Sequence, residues 1–490
     1  MTPTTTASAE VTIDAAMRQQ IADSLRGRFD GTIIGPDHPD YAKARLVWNG
    51  MIDRHPGLIL RCTSTADVVA AVGAARRFEL APAIRGGGHN VAGKAMSDRG
   101  LTIDLAGLRE VRADAGRHLV QVGGGCLLGD VDAATSAHHM IVPAGIMSET
   151  DVAGLSLGGG IGWFWRKHGL TCDQFLELQV VLTSGEVVTA SAFEHPDLFW
   201  ALRGGGGNFG IVTRFTFRSH DFGPMMRIGV SLYRPEDAAE ALRQYGAVYP
   251  SLHRNVGWHA ALKHDMPALP FVPPELVGER LLMLIVMWLD DADDPAGVEL
   301  VERLCSVGSP SVRAATVLPF AAGVQRIIDE EFADGHRYYT KEAHVAMLAD
   351  EAVDRLVEFW KDMPMGGEVE IIGLGGAITD VAEDATAFSN RQYLMWLNFA
   401  MSRDDPARDA DYMARTRAIV ADLAPWTGNG IYVNMLNIDE MDRVVEAYGA
   451  EKYARLGRIK AGYDPSNLFR ANYNITPAAV DAAGDAGDIA

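Results

Sequence analysis

Apolar positions change their spacing twice along the chain, and those changes divide it. Over 13–29 they recur at helical intervals (Ile13, Met17, Ile21, Leu25), which predicts an N-terminal packing helix. A second helix is predicted from a Ser64 or Thr65 cap, with Val68, Val69, Val72 and Ala75 on one face. The apolar run 80–84 then reads as a strand, 101–105 and 118–122 as two more, and 127–139 as helical. Within 175–190 two β-rich runs joined by Ser184-Gly185 predict a hairpin, followed by a helix over 196–202 and a strand over 211–218. Asp221-Phe222-Gly223-Pro224 breaks the pattern and marks an expected domain boundary.

From 225 to about 428 the spacing is different. Short alternating or wholly apolar runs (227–233, 256–262, 281–289, 369–373, 393–400) stand between helical patterns, the signature of an antiparallel sheet backed by helices. A helical pattern returns within 444–461, and the Ala, Asp and Gly tail from 478 is expected to be disordered.

At 490 residues the chain exceeds what one hydrophobic core serves, so more than one domain is expected. Its composition, 48% hydrophobic and 22% charged, is that of a globular protein. A net charge of −20, from 44 Lys plus Arg against 64 Asp plus Glu, leaves no basic stripe for phosphates and excludes a nucleic-acid partner. Cys62, Cys126, Cys172 and Cys305 lack paired metal spacing and read as buried thiols. His138 and His139 are adjacent and cannot share a helix face, so no metal site is expected. The longest apolar run, 281–289, falls short of the roughly 20 residues a membrane helix needs, so no membrane partner is expected. Residues 1–10 have neither a basic start nor an apolar core, do not read as a secretory signal, and point to a cytoplasmic location.

Three glycine clusters carry the candidate chemistry. Arg85-Gly86-Gly87-Gly88-His89-Asn90 follows the 80–84 strand; without Cβ atoms its backbone can close on a bulky anionic ligand, and His89 is the nucleophilic side chain of that turn. Similar clusters at 158–162 and 204–210 stand beside helix or strand patterns, as a pocket for a long dinucleotide requires of several loops at once. None has a Walker lysine followed by Ser or Thr, and none is a clean Rossmann turn.

From 56 to about 219 the chain resembles the FAD-binding domain of the vanillyl alcohol oxidase and p-cresol methylhydroxylase superfamily. Within that superfamily it is most similar to the berberine bridge enzyme-like oxidases and their bacterial relatives of the 6-hydroxy-D-nicotine oxidase type. The resemblance rests on 85–93, Pro143-Ala144-Gly145, 154–162, Lys167-His168-Gly169-Leu170 with Asp173, and Asp197-Leu198-Phe199-Trp200 leading to Arg203 and Asn208-Phe209-Gly210. It continues in 464–469 and in Asn472-Tyr473-Asn474-Ile475. It implies an α+β fold: a two-part, PCMH-type FAD-binding domain and a substrate domain whose antiparallel sheet, backed by helices, roofs the flavin. The implied division is an N-terminal helical segment 1–53, the FAD domain 54–224, the substrate domain 225–431, a berberine-bridge-like segment 432–477 returning to the FAD domain, and the tail 478–490.

The resemblance further implies FAD bonded covalently through His89 to the flavin 8α-methyl. Contacts are implied from Arg85, Gly86, Gly87, Gly88, Asn90 and Gly93 in the first loop and from Met147, Asp151, Gly154, Leu155, Ser156, Gly159, Gly160 and Gly162 in the second region. Leu170, Asp173, Gly210, Ile211, Val212, Asn472 and Asn474 complete the implied set. Two positions depart from the family. Met147 stands where many members carry a second flavin-bonding cysteine, so a single link is implied, and Met435 stands where many carry the catalytic tyrosine.

Flavin oxidation of a C–H bond usually needs a base to take the proton from a hydroxyl or phenol, and a thioether cannot serve. Candidate replacements are Tyr339 and Lys341, which share a strand face in the run that begins Arg337-Tyr338, Glu370, which shares a face with Glu368, and Tyr473. Alternatively the donor needs no base, as with a neutral amine. The expected activity is an oxidase that removes hydride from a C–H next to oxygen or nitrogen of a small organic substrate and passes electrons to O2. The alternatives are a flavin-dependent oxygenase or oxidative cyclase, or an inactive flavin-binding protein. A monomer or homodimer is expected.

Overall fold

Asp14 caps the first helix, Ala15–Leu25, by accepting from the Met17 amide at 2.8 Å, and the helix buries Ile21 and Leu25. The computed structural model describes residues 11–479, so the secretory-signal reading of 1–10 and nearly all of the tail lie outside the described residues. Strands β1 (Thr32–Ile34), β2 (Leu58–Arg61), β3 (Ala83–Arg85) and β4 (Leu101–Asp104) form a sheet in the order β1-β2-β4-β3, with β2, β4 and β3 parallel. The crossover helix Thr65–Arg77 starts in a capping box: the Ser64 hydroxyl accepts from the Asp67 amide and the Asp67 carboxylate accepts from the Ser64 amide, each at 3.1 Å. Such a cap contributes about 1 kcal/mol. The strand expected over 80–84 begins only at Ala83. Glu79 takes a φ of 54°, the Leu80 amide turns back to the Ala75 carbonyl (2.9 Å), and Pro82 has no N–H to give.

The chain continues through β5 (Val111–Asp114), β6 (Leu119–Gly123), the two-residue β7 (Met140–Ile141), β8 (Phe175–Val181), β9 (Val187–Ser191), β10 (Ile211–Arg218) and β11 (His220–Asp221). Five of these make an antiparallel sheet, β5-β6-β10-β8-β9, while β11 pairs with β7. Gly185, at φ 88°, turns the expected hairpin. The helix expected over 127–139 is Leu128–Ser136, because His139 takes a φ of 53°. The polar edge strand β5 gives no apolar pattern to read.

A seven-stranded antiparallel sheet follows, from β12 (Met225–Tyr233), β13 (Val256–Lys263), β14 (Leu281–Trp288), β15 (Val312–Pro319), β16 (Arg337–Val345), β17 (Gly367–Gly373) and β18 (Met395–Arg403). Its order is β15-β12-β14-β13-β17-β18-β16. β14 is buried at every position, which explains its unbroken apolar run. One face packs on helices Ala238–Val248, Asp350–Lys361 and Asp409–Leu423 through a core that includes Tyr245, Trp258, Trp360, Leu356 and Tyr412. The fold is thus α+β with antiparallel sheets and a helix-backed larger sheet. Near the C-terminus the expected helix 444–461 is two helices, Val444–Tyr448 and Ala450–Tyr463, broken where Gly449 takes a φ of 76°. Leu456 and Ile459 of the second pack into the cluster that holds Leu202 and Phe209. The four cysteines are buried free thiols. Among the described residues no helix is long and apolar enough to cross a membrane.

Candidate active site

Two joined cavities lie between the glycine loops and the free face of the large sheet. The first, about 160 Å³, is bordered by Gly86, Gly88, Gly205 to Gly207, Gly210 to Val212 and Asn472. The second, about 230 Å³, runs under the sheet, and the two share His89, Asn90, Asp151, Gly154 and Asn434.

The cradle follows from local structure. β3 ends at Arg85 and delivers the glycines and His89 into the groove. Asp151 caps helix Val152–Leu157, accepting from the Gly154 amide at 2.6 Å, and lies so close behind the loop that a Cβ at Gly86 would overlap its carboxylate. A Cβ at Gly207 would meet only the Asn472 amide nitrogen, 3.9 Å away, so that wall is left open by the missing side chain.

His89 sits where the cavities meet. Its ring stacks on Trp48 (4.5 Å, 18°), which stacks in turn on Tyr338 (3.8 Å, 7°), and the Trp48 indole donates to the Phe332 carbonyl at 2.7 Å. Burial pulls its pKa down to about 4, so the imidazole is neutral at ordinary pH, and its buried Nε2 has no partner. The Asn472 Oδ1 is likewise buried and unpartnered. A neutral nucleophilic imidazole, orphaned polar atoms and loops without Cβ atoms fit a bulky anionic cofactor such as FAD.

The ceiling is one face of β17, β18 and β16. Glu370 stands opposite Asn398, Ile372 opposite Trp396, and Thr340 opposite Ala400, and all six line the larger cavity. Burial raises the Glu370 carboxyl above its ordinary range, opposed by the 2.6 Å hydrogen bond that Asn398 Nδ2 donates to it. Met147, Leu155, Tyr432 and Met435 border the same space. Burial lifts the Tyr432 phenol to about 12, and its oxygen accepts from Gly160 N (3.1 Å) and Asn434 Nδ2 (2.8 Å), so it takes no proton at neutral pH.

Of the residues singled out in the sequence, Gly86, Gly88, His89, Asn90, Met147, Asp151, Gly154, Leu155, Gly210, Ile211, Val212, Asn472 and Glu370 line these cavities. Tyr339 and Lys341 do share a face, but it is the opposite one: both bond Asp439 (2.9 and 3.0 Å), and Lys341 also pairs with Glu440. Thr340 between them faces the cavity instead. Tyr473 borders the smaller cavity, accepting from Asn90 (2.9 Å) and donating to the Leu436 carbonyl (2.5 Å), away from the ceiling. Glu368 is occupied by an ion pair with Lys263.

Other expected contacts pack behind the walls. A Cβ would strike Phe388 at Gly159, Thr171 at Gly160, the Ala144 carbonyl at Gly162 and Ile52 at Gly93. Gly87 backs onto Asp151, and Arg85 donates to the Ala44 carbonyl. Ser156 donates to Val152, Leu170 is held by Asp173, Asp173 is gripped by Arg391 (2.7 and 2.9 Å), and Asn474 accepts from Lys460. Sequence reasoning missed Trp48, Thr340, Trp396 and Asn398. Only strand parity with Glu370, through the β17 and β18 register, could have pointed to the last two.

Comparison with known proteins accords with this geometry. Residues 56–191 match the FAD binding domain family model and residues 431–476 the berberine and berberine like model. The chain is 28% identical to the FAD-linked oxidoreductase YgaK of Bacillus subtilis, over 92% of this chain and 98% of that protein. It is also 28% identical to (R)-6-hydroxynicotine oxidase of Paenarthrobacter nicotinovorans, over 92% and 97%. The solved structure of BBE-like 1 from Physcomitrella patens superposes with a TM-score of 0.82 at 21% identity, covering 95% of this chain and 100% of that one. The chain thus carries an FAD binding domain and a berberine-like segment, is similar over nearly its whole length to FAD-linked oxidoreductases, and has the fold of the berberine bridge enzyme-like proteins.

Proposed function

We propose that the chain is an oxidase that carries FAD on His89, removes hydride from a C–H next to oxygen or nitrogen of a small organic donor, and passes the electrons to O2. The observation that carries this reading is Glu370, a half-buried carboxyl that lines the cavity shared with His89, where Met435 offers no proton acceptor. FAD supplies the hydride acceptor and the means of reducing oxygen. His89, clamped through Trp48 and Tyr338, holds one end of the ring; the glycine loops take the phosphates. Glu370 takes the proton from the donor hydroxyl or ammonium, and Asn398, hydrogen-bonded to it, favours the ionised form that can do so. Trp165, Ile146, Ile328, Phe332, Ile372 and Trp396 exclude water from the reacting carbon and favour flat, apolar donors over plain sugars.

The test is anaerobic mixing of the holoprotein with a panel of amines, phenolics, benzylic alcohols and sugars, followed by admission of oxygen. Bleaching of the flavin by a donor, and peroxide formed in step with donor consumed, is the expected result. Labelled oxygen in the product would make it an oxygenase. Bleaching by NADPH and by no donor would reverse the proposed electron flow.

A further inference from the structure

A third cavity, about 60 Å³, opens off the larger one behind Glu370, with which it shares Ile146, Trp165, Ile328, Phe332, Glu370 and Ile372. A site for one water takes roughly 10–15 Å³, so the slot has room for the end of a molecule and not for a second one. Its walls are apolar, apart from a small set of polar groups.

Those groups are unusual. His259 on β13 lies two residue pairs along from Glu370, opposite Ile372 and so on the same face, and is 7% exposed; both of its ring nitrogens are buried and have no partner. Trp163, 6% exposed and 6.2 Å from the His259 ring, also has a buried, unpartnered indole N–H. Leaving such groups unsatisfied is costly, and native interiors rarely do so. Burial pulls the His259 pKa down to about 3, so the ring is neutral and offers one N–H and one lone pair. Lys263 also borders the slot, but its ammonium is held by Glu331 at 2.6 Å and by Glu368. Glu370, which also borders the slot, is acidic, and so no free cation faces the space.

We infer that this slot is a specificity subsite for a neutral hydroxyl at the end of the donor remote from the oxidised carbon, accepting from the Trp163 indole and exchanging a hydrogen bond with His259. The inference rests on the reading of the larger cavity as the donor site. A hydroxyl partners the Trp163 N–H and one of the two His259 ring nitrogens at once. A methyl partners neither group, and a carboxylate would enter an apolar slot bordered by Glu370 with no free cation to meet it.

The test compares 4-hydroxybenzyl, 4-methylbenzyl and 4-carboxybenzyl alcohol as ligands of the holoprotein, with dissociation constants from the perturbed flavin spectrum. The hydroxyl compound is expected to bind about tenfold to a hundredfold more tightly than the methyl compound. The carboxylate should bind worst. His259→Leu and Trp163→Phe should each shrink the hydroxyl preference while leaving the methyl compound bound as before or tighter. Equal binding of the hydroxyl and methyl compounds, no binding of either, or a preference that survives both substitutions overturns the subsite. A preference of the expected kind in a protein whose flavin no donor bleaches keeps the subsite and removes the oxidase reading. Flavin reduction by donors without regard to a remote hydroxyl does the opposite.

Discussion

Replacing Glu370 by Gln tests whether this carboxyl is the base. The change is nearly isosteric, and the new amide oxygen can still accept from Asn398 Nδ2, the 2.6 Å bond of the native side chain. Fold and flavin content should therefore survive, with stability moved by less than about 1 kcal/mol. A positioned base contributes roughly 10²–10⁴ in rate, so flavin reduction by a hydroxyl donor should slow at least about a hundredfold, near 2.7 kcal/mol on the barrier. Burial holds the Glu370 pKa above the ordinary 4.5, and the base works only when ionised. The wild-type reduction rate should thus rise with pH along an acid limb centred above that value, and the Gln variant should lack the limb. Because the Asn398 bond lowers this pKa, Asn398→Ala should move the limb to higher pH. The assay is stopped-flow reduction of the oxidised flavin without oxygen, across pH, with the fastest donor of the panel. A Gln variant with the native rate and an unchanged limb would refute the assignment.

Trp48→Ala should cost about 3–5 kcal/mol in urea unfolding, since it removes a buried ring stacked between His89 and Tyr338 and its 2.7 Å bond to Phe332; a loss below about 1 kcal/mol would show that the stack is not structural. Met435→Tyr should change pH dependence or donor preference, and a uniform rise in turnover with both unchanged would contradict the reading of this position. The apoprotein should be most stable near pH 6.5. Below 6.5 the unfolded chain takes up protons that half-buried His168 and buried His259 and His344 refuse until about pH 3, 3 and 4, so stability is lost as pH falls. Above it, Glu342 and Asp132, which burial keeps protonated up to about pH 8, hold protons the unfolded chain has released, so stability is lost as pH rises toward 8. Urea midpoints that climb steadily through that upper window would contradict the assignment, and Glu342→Gln should flatten the decline.

The glycine loops were legible because their chemistry is local: a missing Cβ or a left-handed turn is needed wherever the chain passes Asp151, Phe388 or the Ala144 carbonyl. The same locality misleads about role, since a glycine forced by packing, as at Gly162, looks in sequence like one that leaves room for a ligand. Strand parity was also legible; Tyr339 and Lys341 do share a face. Which face meets the cavity was not, because that is decided by where helix Asp409–Leu423 and Asp439 pack, and it brings Thr340 inward. Asn398 was hidden in a strand buried on both sides, where alternation vanishes. Trp48 was hidden by distance, since its partner Phe332 lies 284 residues away.

The central claim is that the joined cavities hold FAD with its ring fixed at His89. The measurement that tests it most directly is mass spectrometry of the proteolysed, acid-denatured holoprotein. The peptide that contains His89 should carry the flavin, the peptide that contains Met147 should carry none, and His89→Ala protein should release all its flavin on precipitation. A holoprotein whose flavin comes away entirely, leaving the His89 peptide at its unmodified mass, or whose His89→Ala variant stays yellow after precipitation, would contradict the account.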